Sequence, residues 1–251
     1  MDQTSVTVTL YHGDCIDILP GIPSQSVDAL ITDPPYPEIK RAYGKMTVDE
    51  WRAMMMAVCK ETRRILKPTG SAVFILQPNS EHVGQMRGWL WEFMAWVCRE
   101  WNMVQDVWWW NTATLPSGVC SPRERGLTRQ SIKACVWAGR PSCYRNQDRV
   151  LIDEAERTRS RNQDKRLRLG NIRTSGESGH GVNLGTCENA ANERGGVIPF
   201  NCLPIGSNSV RGNHGHGAGT PLKLADWWVR YICPPGGTVC DPFIHSSARA
   251  R

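Results

Sequence analysis

With 251 residues, 40% of them hydrophobic, the chain is long enough to close one large domain around a core and too apolar for a wholly disordered polypeptide. No apolar run approaches the roughly 20 residues a membrane-spanning helix requires, and the start, Met1-Asp2-Gln3-Thr4, lacks the basic and apolar stretches of a secretory signal, so a cytoplasmic location is expected. The net charge of +6 is unevenly spread: between positions 123 and 173 fourteen Lys/Arg stand against six Asp/Glu, the pattern either of a polyanion-binding surface or of a solvated insert with no partner.

In chain order, residues 6–11 alternate as a strand, and Gly13-Asp14 ends it. Residues 27–32 form a short, largely apolar run suited to a strand buried on both faces of a parallel sheet. The prolines of Asp33-Pro34-Pro35-Tyr36 then stop its ladder. Thr47 and Glu50 have capping-box spacing, and Trp51, Met54, Met55, Val58, Cys59, Ile65 and Leu66 mark one helical face. Lys67-Pro68 stops that helix and Gly70 turns the chain into a strand at 71–76. A second helix is expected over 81–99 and a strand over 104–110. Strand and helix in alternation imply a parallel sheet with helices on its faces.

Between 112 and 219 the periodicity degrades, and from Arg157 onward the composition is polar, basic and rich in Gly and Asn. Order returns at Thr220-Pro221, a helix start with Thr220 as N-cap, and Leu222, Ala225, Val229 and Ile232 make its buried stripe. Pro234-Pro235-Gly236-Gly237 ends the helix, and a last strand covers 238–241. Three segments are therefore expected: 1–111, a target-recognition insert at 112–219, and 220–251.

The ten cysteines include no C-x-x-C pair, so neither a disulfide framework nor a metal site is expected. His214 and His216 with Cys202 make only an incomplete ligand set for zinc. The chemistry is expected at Asp33-Pro34-Pro35-Tyr36. Ligands of open α/β sheets bind outside the carboxyl ends of the strands. A carboxylate, a proline-flanked carbonyl and an aromatic face at that edge are the parts needed to hold a planar amine, although a proline-rich turn with a stray acid has the same composition.

Gly13-Asp14-Cys15, the run from Val27 to Tyr36, and Ile65-Leu66-Lys67-Pro68-Thr69-Gly70-Ser71 resemble successive motifs of the DNA amino-methyltransferases. Thr220-Pro221-Leu222, Pro235-Gly236-Gly237 and Asp241-Pro242-Phe243 resemble that family's late helix and the start of its cofactor motif. With the tetrapeptide early and the cofactor motif late, the order is that of the circularly permuted β group. The resemblance implies a Rossmann-like α/β fold, S-adenosylmethionine as methyl donor and double-stranded DNA as substrate. It implies that Asp33 and the Pro34 carbonyl accept the two N–H bonds of an exocyclic amine, with Pro35 and Tyr36 completing the catalytic set and Tyr36 stacking on the flipped base. Asp14, Cys15, Asp33, Asp241, Pro242 and Phe243 are the implied cofactor neighbours. Arg157, Arg159, Arg161, Lys165, Arg166 and Arg168 are candidates for DNA phosphate contacts.

Aspartate at the head of the tetrapeptide points to N6 of adenine, with N4 of cytosine the alternative. The chain departs from the family after Phe243: Ile244-His245-Ser246-Ser247-Ala248-Arg249-Ala250-Arg251 replaces the usual glycine-containing loop. A truncated cofactor motif and an incomplete sheet are expected, with residues 6–11 left unpaired. A catalytically inactive DNA-binding remnant is therefore a second alternative.

Overall fold

The structure, a computed structural model, describes residues 6–40, 44–113, 127–128, 130–152, 195–206 and 220–244. Its strands are β1 (Val27–Thr32), β2 (Leu66–Leu76), β3 (Ser80–His82), β4 (Gln85–Met86), β5 (Met103–Trp110), β6 (Ile132–Gly139), β7 (Cys202–Pro204) and β8 (Val239–Cys240). Its helices are α1 (Cys15–Ile18), α2 (Val48–Ile65), α3 (Trp89–Glu100) and α4 (Leu222–Ile232). Six strands form one sheet in the order β7-β5-β6-β2-β1-β8, while β3 and β4 make a separate hairpin.

The sheet is largely parallel. β1 pairs in parallel with β2 and β8, and β5 with β7, whereas β6 runs antiparallel to both β2 and β5. The expected parallel sheet thus acquires one reversed strand, and that strand lies inside the stretch where periodicity fades. β6 is almost wholly buried, so it carries a continuous apolar run with no polar alternation to mark it as a strand of known direction.

The all-buried β1 meets the expectation of a strand covered on both faces. Leu30 joins the layer packed under α2 and α3, with Met55, Val58, Phe74, Leu90 and Phe93. Ala29 and Ile31 join the opposite layer, with Trp109, Trp137, Leu224 and Trp228 of β5, β6 and α4. α2 starts on the expected capping box: the Thr47 hydroxyl accepts from the Glu50 N–H, and Glu50 accepts from the Thr47 N–H at 2.7 Å. β2 follows directly, several residues before the expected strand start. Gly70 permits this, because a Cβ there would lie 3.0 Å from the carbonyl oxygens of both Val27 and Asp28. Asp28 is the buried acid of β1: Lys67 Nζ reaches it at 2.7 Å and the Thr238 N–H donates to it at 2.8 Å, tying β1 to β2 and to the segment before β8.

Four expectations are corrected. Residues 6–11 form no strand; no strand among the described residues lies beyond β8 to extend the ladder, and Val6, Val8 and Leu10 remain exposed, Val6 at 86%. The helix expected over 81–99 divides into the β3–β4 hairpin and α3, because Gly84 takes φ +82° and the Arg87 N–H closes the hairpin on the Asn79 carbonyl. In α4 the buried stripe is Leu224, Trp228 and Ile232, with Leu222 83% exposed; the helix turns its largest ring onto Trp137, at 5.8 Å between centroids. Pro221 is the N-cap of α4 and makes no side-chain cap, while Thr220 serves a different group.

Candidate active site

Because β6 is reversed, its first residues lie beside the carboxyl ends of its neighbours: Ile132 pairs with Trp110 and Ala134 with Leu76. The carboxyl ends of β1, β2, β5, β7 and β8 and the amino end of β6 therefore share one edge. Asp33-Pro34-Pro35-Tyr36 follows β1 at that edge, where the sequence placed the chemistry.

Each residue of the tetrapeptide is held. The Tyr36 hydroxyl donates to Asp33 Oδ1. Asp33 Oδ2 accepts from the Thr220 hydroxyl at 3.1 Å and lies 3.5 Å from Lys133 Nζ. Lys133 also donates to the Tyr36 hydroxyl oxygen at 3.1 Å. The Pro35 carbonyl accepts from Trp51 Nε1 at 2.8 Å, which fastens the loop to α2. Pro34 is buried, and the Pro37 carbonyl accepts from Asn79 Nδ2 at 2.7 Å, with Asn79 in turn accepting from Trp89 Nε1. The Tyr36 ring stacks near Trp89, with centroids 6.5 Å apart.

Neighbouring β8 delivers Asp241. Its carboxyl accepts from the Thr32 hydroxyl and, at 3.0 Å, from its own turn's Phe243 N–H. Loss of water around that carboxyl raises its pKa above the ordinary 3.8; the two hydrogen bonds oppose the rise, and the charge of Asp33 adds to it. Two carboxylates thus lie at the same edge, near enough for the charge of one to act on the other, and their negative charge suits a ligand carrying positive charge. Asp14 caps α1, accepting from the Ile16 N–H at 2.9 Å. Cys15, Ile16, Cys240 and Phe243 pack partly buried against the α2–α3 layer, as Tyr36 does. Pro242 lies in the turn between Asp241 and Phe243.

Three cysteines near the site are held away from the reactive thiolate. Burial, with Asp14 adding to it, pushes the Cys15 thiol up to about 11, and burial with Asp241 does the same for Cys240. Cys135 is pushed by burial to about 12. Among the described residues no group of three or more His, Cys, Asp or Glu side chains could hold a metal ion, and no helix is long and apolar enough to cross a membrane. His214 and His216 lie outside the described residues, as do Arg157, Arg159, Arg161, Lys165, Arg166 and Arg168.

Sequence reasoning missed Lys133, the site role of Thr220, and Trp51 as the anchor of Pro35. Lys133 was hidden in the basic block, where it counts as one positive charge among fourteen. Thr220 was assigned to the helix cap that its position suggested. Only Trp51 carried a usable signal: it lies in the first turn of a helix that begins twelve residues after Tyr36, and its indole N–H needs an acceptor once buried.

A family model described as DNA methylase, of the N6/N4 methyltransferases, matches residues 27–248. The chain is 23% identical to the type II methyltransferase M.PvuII of Proteus hauseri over 259 aligned positions, which cover 96% of this chain and 74% of that one. Among solved structures it superposes on the PvuII DNA methyltransferase (cytosine-N4-specific) with a TM-score of 0.64 at 17% identity, covering 92% of this chain and 72% of that one. It also superposes on M1.HpyAVI, solved in complex with SAM, with a TM-score of 0.53 at 15% identity over 94% and 82% of the two chains. At these identities the superpositions establish a shared fold, that of the methyltransferases.

Proposed function

The chain belongs to the N6/N4 DNA methylase family, and from that premise we propose that it transfers a methyl group from S-adenosylmethionine to the N6 amino group of adenine in double-stranded DNA. The observation that carries the methylation of an amine is the setting of Asp33, and the resemblance of an Asp-headed tetrapeptide to the adenine enzymes of the family favours adenine. It stands at the carboxyl edge of the sheet with two donors in place, Tyr36 and Thr220, and the Lys133 ammonium 3.5 Å away. A carboxylate offers about four acceptor directions, so acceptor capacity remains for an incoming amine.

The chemistry follows from these groups. The lone pair of an exocyclic amine is delocalised into its ring, which makes the nitrogen a poor nucleophile. Asp33 accepts one amine hydrogen and the Pro34 carbonyl the other, drawing the nitrogen toward tetrahedral geometry and directing its lone pair away from the two acceptors. S-adenosylmethionine supplies an electrophilic methyl group on a sulfonium centre. Asp241, Pro242 and Phe243 after β8, Asp14 and Cys15 at α1, and Asp33 itself are the residues that would hold it; the negative charge of Asp33 and Asp241 at this edge fits its positive charge. Transfer would break the donor's sulfur–methyl bond, leaving a neutral thioether, as the nitrogen–carbon bond forms, and Asp33 would take up the proton the amine then loses. Tyr36 supplies a ring face for the flipped base. The contribution of the protein is positioning and electrostatics, and no covalent enzyme intermediate is needed.

A second reading, N4 of cytosine, is favoured by the similarity to M.PvuII, whose solved relative is described as cytosine-N4-specific. The two amines present the same geometry to Asp33. Incubating the protein with unmethylated genomic DNA and methyl-labelled S-adenosylmethionine, then digesting to nucleosides, separates them. Label in N6-methyladenosine is the expected result. Label in N4-methylcytidine overturns the base assignment and keeps the mechanism. Absence of label from folded protein that still binds DNA overturns both in favour of a DNA-binding role.

The cluster Arg157, Arg159, Arg161, Lys165, Arg166 and Arg168 is assigned to DNA phosphates on its charge. Replacing Arg157, Arg159 and Arg161 with alanine should weaken binding to all DNA sequences alike. It should also flatten the dependence of log K on log salt by about 0.9 for each phosphate no longer neutralised. An unchanged salt slope, measured by fluorescence anisotropy, removes those three from the interface.

A further inference from the structure

We infer that Lys133 is a positioning residue for the methyl-transfer site, locking Asp33 and Tyr36 in one arrangement; this rests on the active-site reading above. Lys133 is the second residue of β6, and its side chain is only 11% exposed. The five residues after it, Ala134, Cys135, Val136, Trp137 and Ala138, are apolar and at most 1% exposed. Withdrawing an ammonium group from water costs several kcal/mol unless it is paired, so an apolar side chain would serve the sheet better if packing were the only demand. Lys133 instead closes a ring of polar contacts. Its ammonium donates to the Tyr36 hydroxyl oxygen at 3.1 Å, that hydroxyl donates to Asp33 Oδ1, and the ammonium lies 3.5 Å from Asp33 Oδ2.

The ring has a directional consequence. Because Lys133 occupies a lone pair of the Tyr36 oxygen, the hydroxyl hydrogen is turned toward Asp33, and the carboxylate is held at both oxygens against rotation. The same ammonium lies 5.5 Å from the centroid of the Tyr36 ring and 5.0 Å from that of Trp109, which restrains the tyrosine ring where a base would stack. Reversal of β6 makes this possible: a strand running with its neighbours would present its second residue at the opposite edge of the sheet.

The test compares Lys133→Met and Lys133→Arg with the unaltered protein in the labelled-methyl assay, with S-adenosylmethionine affinity measured separately by calorimetry. Lys133→Met should lower kcat about 10²-fold, the scale of a small misplacement of reacting groups, with the affinity for S-adenosylmethionine and the KM for DNA nearly unchanged. Lys133→Arg, whose fork can still reach a carboxylate and a hydroxyl, should recover about tenfold of that loss. An unchanged kcat overturns the proposal. So does a loss confined to DNA affinity with a shallower salt dependence, which would make Lys133 a phosphate ligand.

A readout without turnover covers the case in which the unaltered protein transfers no methyl group, a result that would count against the active-site reading alone. The chain has five tyrosines, so the Tyr36 ring resonances can be assigned by comparison with Tyr36→Phe. They should shift or broaden in Lys133→Met while the other four stay in place. If they do not move, Lys133 does not position Tyr36. Should Lys133→Met fail to fold, the same resonances and kcat are read in Lys133→Arg, where an unaltered Tyr36 signal together with full activity overturns the proposal.

Discussion

Asp33 and Asp241 directly follow adjacent parallel strands, yet they are held by different means. The partners of Asp33 come from three places in the sequence: hydroxyls of Tyr36 in its own turn and Thr220 before α4, and the ammonium of Lys133 in β6. Asp241 has one distant donor, the Thr32 hydroxyl, and one from its own turn, the Phe243 N–H, at the end of a two-residue edge strand. The carboxylate assigned to chemistry is braced from several layers of the fold. The one assigned to holding the methyl donor stands at the margin of the described sheet.

The sharpest way to break this comparison is Asp33→Ala. Removing the principal amine acceptor should reduce kcat by roughly 10²–10³-fold, the cost seen when one preorganised electrostatic partner is deleted, with DNA affinity nearly intact. Methyl transfer at an unchanged rate would show that the acid serves the structure alone.

Next in size is the loop anchor. Trp51 is 2% exposed, contacts Trp89 and Phe93 edge-on, and donates to the Pro35 carbonyl. Trp51→Ala should lower stability by about 3 kcal/mol or more, measured by urea denaturation. Trp51→Phe should cost only about 1 kcal/mol for the missing hydrogen bond while lowering kcat, because the carbonyl next in line to the amine acceptor is released. A Phe variant with full activity would mean that the tetrapeptide keeps its shape without this tether.

The smallest effect belongs to Asp241. Its pKa is raised in the folded protein, chiefly by loss of water, so the folded state binds the proton more tightly than the unfolded chain does. That contribution to stability is fully present below the ordinary 3.8 and is lost as pH rises through the elevated value. Asp241→Asn cannot titrate. Melting temperatures measured from about pH 3 to pH 7 should therefore show the unaltered protein losing ground to the variant as pH increases. Parallel curves would mean that the carboxyl is better solvated than its contacts imply.

Much of this site was legible in the residue order. The tetrapeptide, the strand it ends and the capping box of α2 are local patterns, in which neighbouring residues specify dihedral angles, periodicity or a cap. The two segments that place Asp33 and Asp241 at one edge were legible too, because each pairs a short strand with a turn signal. The hairpin at 80–86 was not, since a helical pattern and a tight turn compete over so few residues and the Arg87–Asn79 bond decides between them. The alternation at 6–11 suggested a strand, but a strand is a strand only when another pairs with it, and the expectation that this segment would be left unpaired agrees with the described residues.

The sequence by itself determined that a carboxylate, a constrained carbonyl and an aromatic ring follow a doubly buried strand, because those properties are set by adjacent residues and by the alternation of side chains along a strand. Only the tertiary structure decided what surrounds them. Strand direction and the pairing of β6 with β2 and β5 depend on long-range contacts that leave no local trace. Those contacts carry Lys133 across a separation of one hundred residues to Asp33 and turn Thr220 from a helix cap into a partner of the same carboxylate.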